Sequence, residues 1–147
     1  MISKVMIIGS GQMGSGIAQV FAQAGFTVYL NDIKEEFVQR GLNNITKQLE
    51  RSVEKGRISA DEKDQVLANL LPSVSYEDAK QVQLVIEAAT ENREIKLNIF
   101  KQLDELTDPK TILASNTSSL SITDIAAATK HQERVIGMLF FNPAPFM

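Results

Sequence analysis

The sequence contains no cysteine, so neither a disulfide framework nor a thiolate metal centre can be built from it. It has no basic excess either. Fifteen Lys and Arg stand against 18 Asp and Glu, a formal net charge of −3, which leaves no field to hold nucleic acid by counterion release. Any anionic ligand must be met by local groups. Long hydrophobic runs are missing too: the N-terminal MISKVMIIGSG carries one lysine and a short apolar segment broken by glycine, too short for a signal-sequence core or a membrane span. The expectation is a cytoplasmic protein with no membrane contact. Histidine occurs once, at His131 in the polar stretch TKHQER, and reads as a solvated loop residue rather than a catalytic base.

What is present is ordinary globular material: 147 residues, 44% hydrophobic and 22% charged, enough to bury roughly two thirds of the unfolded surface. Short apolar runs at residues 5–8, 27–30, 84–86, 111–113 and 135–140 read as buried strands, with helix-period segments between them. That alternation predicts an α/β fold of the Rossmann type, a doubly wound, mostly parallel sheet with helices on both faces, as one domain over residues 1–147. The first helix spans about 12–24 and closes on Gly25, a good left-handed cap. A second, about 35–56, puts Val38, Leu42, Ile45, Leu49 and Val53 on one side and Lys47, Arg51 and Lys55 on the other. A third, about 60–70, follows Ser59 as N-cap and stops before Pro72, and a fourth covers about 93–106. The two helices after the second strand make that connection long for a plain Rossmann unit.

The first strand leads straight into GSGQMG at residues 9–14, which opens a helix. Gly9 permits the tight turn, Gly11 lets backbone approach a pyrophosphate and Gly14 lets helix and strand pack closely, with Ser10, Gln12 and Met13 completing the loop. Alone, this pattern can be a glycine-rich turn. Here the second strand, TVYLND, ends on Asp32, 18 residues past Gly14, where a carboxylate can accept hydrogen bonds from an adenosine ribose. The combination points to a dinucleotide. The same carboxylate would repel a 2′-phosphate, so NAD is preferred over NADP, a preference that nearby Lys34 softens slightly.

Ligands of open α/β sheets bind beyond the carboxyl ends of the strands, so the residues after each strand come next. EAATENREIK follows the strand at 84–86, with Glu91 at a helix start and Lys96 one turn in. Their plain reading is a helix cap that complements the dipole and a solvated lysine. ASNTSSL follows the strand at 111–113 and reads equally as an Asx or Ser turn capping the next helix or as a polar binding loop.

Together, GSGQMGSGIAQVFAQAGFTVYLND, IEAATEN, ASNTSSLSITDIA and GMLFFNPAP resemble the 3-hydroxyacyl-CoA dehydrogenases, the bacterial 3-hydroxybutyryl-CoA dehydrogenases most closely. The resemblance runs from Met1 to Met147 and corresponds to the NAD-binding domain of that family. It implies that Gly9, Gly11 and Gly14 line the pyrophosphate and Asp32 holds the adenosine ribose, with Glu91, Lys96 and Asn142 along the nicotinamide half. Ser118 would hydrogen-bond the 3-oxygen of an acyl-CoA substrate of the acetoacetyl or 3-hydroxybutyryl type, with Asn116 supporting the loop and Ser119 the lesser candidate. Lys55 matches a position that meets the CoA phosphates, although Lys47, Arg51 and Lys55 interleave with Glu50 and Glu54 as a solvated, salt-bridged face would.

Where the family motif reads GMHFFNP, this sequence reads GMLFFNP, so Leu139 stands at the position of the catalytic histidine. Moving the hydroxyl proton needs an acid/base, which an isobutyl group cannot be. The resemblance also implies a second, all-helical domain beyond residue 147 that completes the acyl-CoA site and forms the dimer, and a glutamate partner of the histidine that likewise lies beyond Met147. The expectation is therefore a chain that binds NAD but is catalytically impaired, with a non-catalytic NAD-binding module as the alternative. Another small-hydroxyacid dehydrogenase is disfavoured by NTSS followed by GMLFFNP. The apolar tail at 138–147 is expected either to favour self-association or to fold back over the sheet edge.

Overall fold

A computed structural model describes residues 1–90, 92–116, 122–127, 129–130 and 132–137. Six strands, β1 (Lys4–Ile8), β2 (Thr27–Asn31), β3 (Leu70–Ser73), β4 (Leu84–Glu87), β5 (Ile112–Ser115) and β6 (Val135–Gly137), form one sheet in the order β3-β2-β1-β4-β5-β6. Every neighbouring pair is parallel. The crossovers are α1 (Gln12–Gln23), α2 (Glu35–Glu54) with α3 (Ala60–Ala68), α4 (Arg93–Leu106) and α5 (Ile122–Ala127). The chain leaves β1 toward β2 on one side and returns to β4 on the other, so a crevice opens beyond Ile8 and Glu87.

Strand alternation sorts β1 into two cores. Val5 and Ile7 join Ile17, Leu30, Ile45 and Leu49 under α1 and α2. Met6 and Ile8 join Val85, Phe100, Leu103 and Leu113 under α4. Because both faces are covered, β1 and β4 read as continuous apolar runs, as the sequence suggested. On α2, Val38, Ile45 and Leu49 are buried, whereas Lys47, Arg51 and Lys55 are exposed. Gly25 and Gly56, with φ of 98° and 72°, take the left-handed conformation that ends α1 and α2. Ser59 caps α3, accepting from the Glu62 N–H at 3.1 Å while the Glu62 carboxylate accepts from the Ser59 N–H at 3.4 Å.

The structure corrects the sequence reading around Pro72. The third helix ends at Ala68, and Leu70–Ser73 is a strand rather than a helix end and loop. β2 bonds to β3 through Val28 N–H to the Asn69 carbonyl at 2.8 Å and Asp32 N–H to the Ser73 carbonyl at 3.2 Å. Residues 69, 71 and 73 thus face β2 and Pro72 faces away, where its missing N–H leaves no ladder bond unmade. A short 3-10 helix, Tyr76–Gln81, follows. β4 and β5 also run further than their apolar cores, ending on the fully buried Glu87 and Ser115. Of the strand expected at 135–140, residues 135–137 are described and pair with β5. No helix among the described residues is long and apolar enough to cross a membrane.

Candidate cofactor site

β1 delivers the chain to Gly9, whose N–H donates to the Asn31 carbonyl at 2.8 Å and whose φ of 102° suits glycine. A Cβ at Gly9 would lie 2.7 Å from the Ala89 Cα, and one at Gly14 would lie 1.7 Å from the Gly9 carbonyl oxygen. Those two glycines are required by protein packing. At Gly11 the same test meets nothing within 4 Å, although this residue is the N-cap of α1 and provides no side-chain cap. Open space over uncapped N–H groups is what a pyrophosphate requires. The loop leans on groups that motif reading passes over. Ser15 Oγ donates to the Ser10 carbonyl at 2.7 Å, and a Cβ at Gly41 of α2 would come within 2.8 Å of both that carbonyl and that hydroxyl.

Asp32 stands immediately after β2 and is held from two sides. Its Oδ2 accepts from the Ser10 N–H at 2.9 Å and the Ser10 hydroxyl at 2.6 Å, and its Oδ1 accepts from the Ile33 N–H at 2.8 Å. The carboxylate is thereby pre-aimed, with lone pairs left over and part of its surface open. Beside it lies a cleft of about 610 Å³ bordered by Ile33, Tyr76, Ala89, Ile95 and Ile99. Ile33 is 75% and Ile95 50% exposed, an apolar pair suited to the faces of a flat ring system. Burial, and then the nearby charges of Asp32 and Glu87, push the Tyr76 phenol above its ordinary value.

On the other side of the crevice a cleft of about 420 Å³ is bordered by Met13, Ala88, Ala89, Thr90 and Asn116. The strand ends that lead into it, Glu87 of β4 and Ser115 of β5, belong to a buried ionic cluster. Lys96 is fully buried, its ammonium 2.8 Å from Glu87 Oε1, which also accepts from the Ser115 hydroxyl at 3.0 Å. The plain reading of Lys96 as a solvated residue is therefore corrected: α4 turns it inward because a buried carboxylate waits at the end of β4. Glu87 itself was missed, since a charge closing an apolar run looks like the strand's polar exit. Asn116 follows β5, its N–H donating to the Glu87 carbonyl at 2.9 Å.

These features match known sequences. The family model for the 3-hydroxyacyl-CoA dehydrogenase NAD binding domain matches residues 4–147. The chain belongs to that family. Its cofactor is NAD. It is 49% identical to the probable 3-hydroxybutyryl-CoA dehydrogenase of Bacillus subtilis over 146 residues, 99% of this chain and 51% of that protein. It is 44% identical to the 3-hydroxyadipyl-CoA dehydrogenase of Escherichia coli K12, covering 99% of this chain and 31% of that one. The crystal structure of (S)-3-hydroxybutyryl-CoA dehydrogenase from Ralstonia eutropha superposes with a TM-score of 0.97 at 45% identity, over 100% of this chain and 52% of that one. The chain thus spans about half the length of these 3-hydroxybutyryl-CoA relatives.

Several residues that the family resemblance singles out, Glu91, Ser118, Ser119, Leu139 and Asn142, lie outside the described residues, as do His131 and the tail at 138–147. Lys55 is described, and it lies away from the crevice. With Gln23, Arg51, Ser52 and Arg57 it borders a groove of about 210 Å³ between α1 and α2. Gln19, Gln48 and Arg51 continue that groove into a cleft of about 370 Å³ that reaches Lys47 and Gln12. Among the described residues no ion pair ties Lys47, Arg51 or Lys55 to Glu50 or Glu54. The interleaved acids leave this cationic groove unneutralised by direct pairing.

Proposed function

We propose that this chain is the cofactor-binding half of a 3-hydroxybutyryl-CoA dehydrogenase-type enzyme that interconverts 3-hydroxyacyl-CoA and 3-oxoacyl-CoA. The observation that carries the reading is the pairing of open space at Gly11 with a carboxylate fixed at Asp32. Bound NAD supplies the hydride acceptor, and NADH the donor. The chain's own residues do the rest. Asp32 accepts from ribose hydroxyls and disfavours a 2′-phosphate, the start of α1 meets the pyrophosphate, and Glu91 and Asn142 serve the nicotinamide half, which Lys96, fully buried against Glu87, supports without a surface of its own to offer the cofactor. Ser118, supported by Asn116, hydrogen-bonds the substrate 3-oxygen. The groove of Lys47, Arg51, Lys55 and Arg57 supports a role in meeting the phosphates of CoA, where cations without paired acids are of most use.

Proton transfer is the weak step of this reading. Leu139 carries no titratable group, and losing a general acid/base costs roughly 10²- to 10⁴-fold. We therefore expect NADH binding with little acetoacetyl-CoA reduction. The alternative, a non-catalytic NAD-binding module, is favoured by Leu139 alone. Fluorescence titration should show saturable NADH binding, tighter than NADPH and weakened by Asp32→Ala. Equal affinity for the two cofactors, or indifference to Asp32→Ala, refutes the cofactor assignment. Turnover within about tenfold of a full-length relative would refute the impairment.

A further inference from the structure

We propose that Glu87 is a positioning residue for the dinucleotide site, setting the loop 88–90 against the glycine loop; the inference rests on the cofactor reading above. Glu87 is fully buried, and its two carboxylate oxygens divide their work. Oε1 accepts from the Lys96 ammonium at 2.8 Å and the Ser115 hydroxyl at 3.0 Å. Oε2 accepts from the Ala89 N–H at 2.8 Å and the Thr90 N–H at 3.3 Å. All four partners donate, so the site needs a side chain that accepts at both ends, and a carboxylate does so where a carboxamide cannot. A Gln amide would have to turn its NH2 either onto the ammonium and hydroxyl or onto the loop N–H groups.

The loop so held is the shared wall of the crevice. Ala89 and Thr90 border both the cleft beside Asp32 and the cleft beside Asn116. The Ala88 and Ala89 backbone is also what a Cβ at Gly9 would strike, so the position of loop 88–90 fixes the gap between the two strand-end loops. The Asp32 side of the site is secured separately, by the Ser10 and Ile33 N–H groups and by the Gly9 bond to Asn31. The cleft beside Asp32 also keeps Ile33, Tyr76, Ile95 and Ile99 as walls, whereas Ala88, Ala89 and Thr90 make up most of the border of the other cleft, so a fault at Glu87 should weigh on the nicotinamide half far more than on the adenosine half.

The test compares NADH with AMP, which carries the adenosine half alone, on the full chain. Glu87→Gln should weaken NADH by about tenfold, or 1.4 kcal/mol, while AMP affinity stays within about twofold. Glu87→Asp keeps a negative charge for Lys96, which protects the fold, but it is one methylene too short to reach both sets of donors and should show the same split. A purely structural role would lower both affinities together or neither, and either pattern in both variants overturns the proposal. Wild-type protein that binds neither nucleotide overturns the cofactor reading itself, and this inference with it.

Discussion

Gly11 and Gly14 occupy the same loop for opposite reasons, and alanine separates them. At Gly14 a Cβ would sit 1.7 Å from the Gly9 carbonyl oxygen, so Gly14→Ala must push α1 off β1 and should cost about 3 kcal/mol in denaturant unfolding. At Gly11 the space is empty and the backbone, with φ of −67°, suits any residue. Gly11→Ala should change stability by less than about 1 kcal/mol yet weaken NADH by about tenfold in titration, because the methyl enters the open space proposed above for the pyrophosphate. Tyr76 gives a pH signature. Burial, Asp32 and Glu87 raise its phenol above the ordinary 10.0, so the folded protein keeps a proton that the unfolded chain releases. The stabilisation this represents is complete below pH about 10 and is lost as pH climbs from there through the folded-state value. Equilibrium unfolding in alkali should show a decline that is shallower in Tyr76→Phe.

Among the elements, α3 depends most on local chemistry. It is nine residues long and buries Val66 alone, so little packing secures it. Its capping box then carries a large share of its order, and Ser59→Ala should destabilise by about 1 kcal/mol, seen as a Tm lower by roughly 2–4 °C. β3, which α3 precedes, illustrates the converse. Nothing in LLPS advertises a strand, and Pro72 argues against one. The element exists because β2 offers an unpaired edge and the chain emerging from α3 lies along it, with the proline turned outward.

At the scale of the whole molecule, the strand order places Gly9, Asp32, Glu87 and Asn116 on one rim although they come from the ends of four separate strands. A ligand spanning that rim bridges both halves of the sheet and should stabilise the fold as a unit. With NADH at about 100 times its Kd, the added stability is about 2.7 kcal/mol, a rise in Tm of roughly 5–10 °C in a thermal scan. Asp32→Ala should abolish most of the rise at the same NADH concentration.

Local signals were enough for much of this. Apolar runs broken by helix-period segments identified β1, β2, β4 and β5 and the four longer helices, because strands buried on both faces carry no polar alternation to obscure them. GSGQMG and Asp32 pointed to a dinucleotide, since the conformational demand on each glycine and the acid at a strand end are written in residue type and spacing. The sequence alone thus determined the fold class and the NAD cofactor, and its resemblance to the family at Leu139 set the expectation that proton transfer is impaired. Other properties belong to no single segment. Glu87 sits at the end of one strand and Lys96 in the next helix, and each looks like an ordinary surface charge until the fold buries both and leaves them each other as partners. Gly41 and Ser15 gain their meaning against the Ser10 carbonyl, and Pro72 becomes a strand residue only beside β2. Tertiary structure decided these because burial and pairing are relations between distant residues, and spacing along a chain records only near ones.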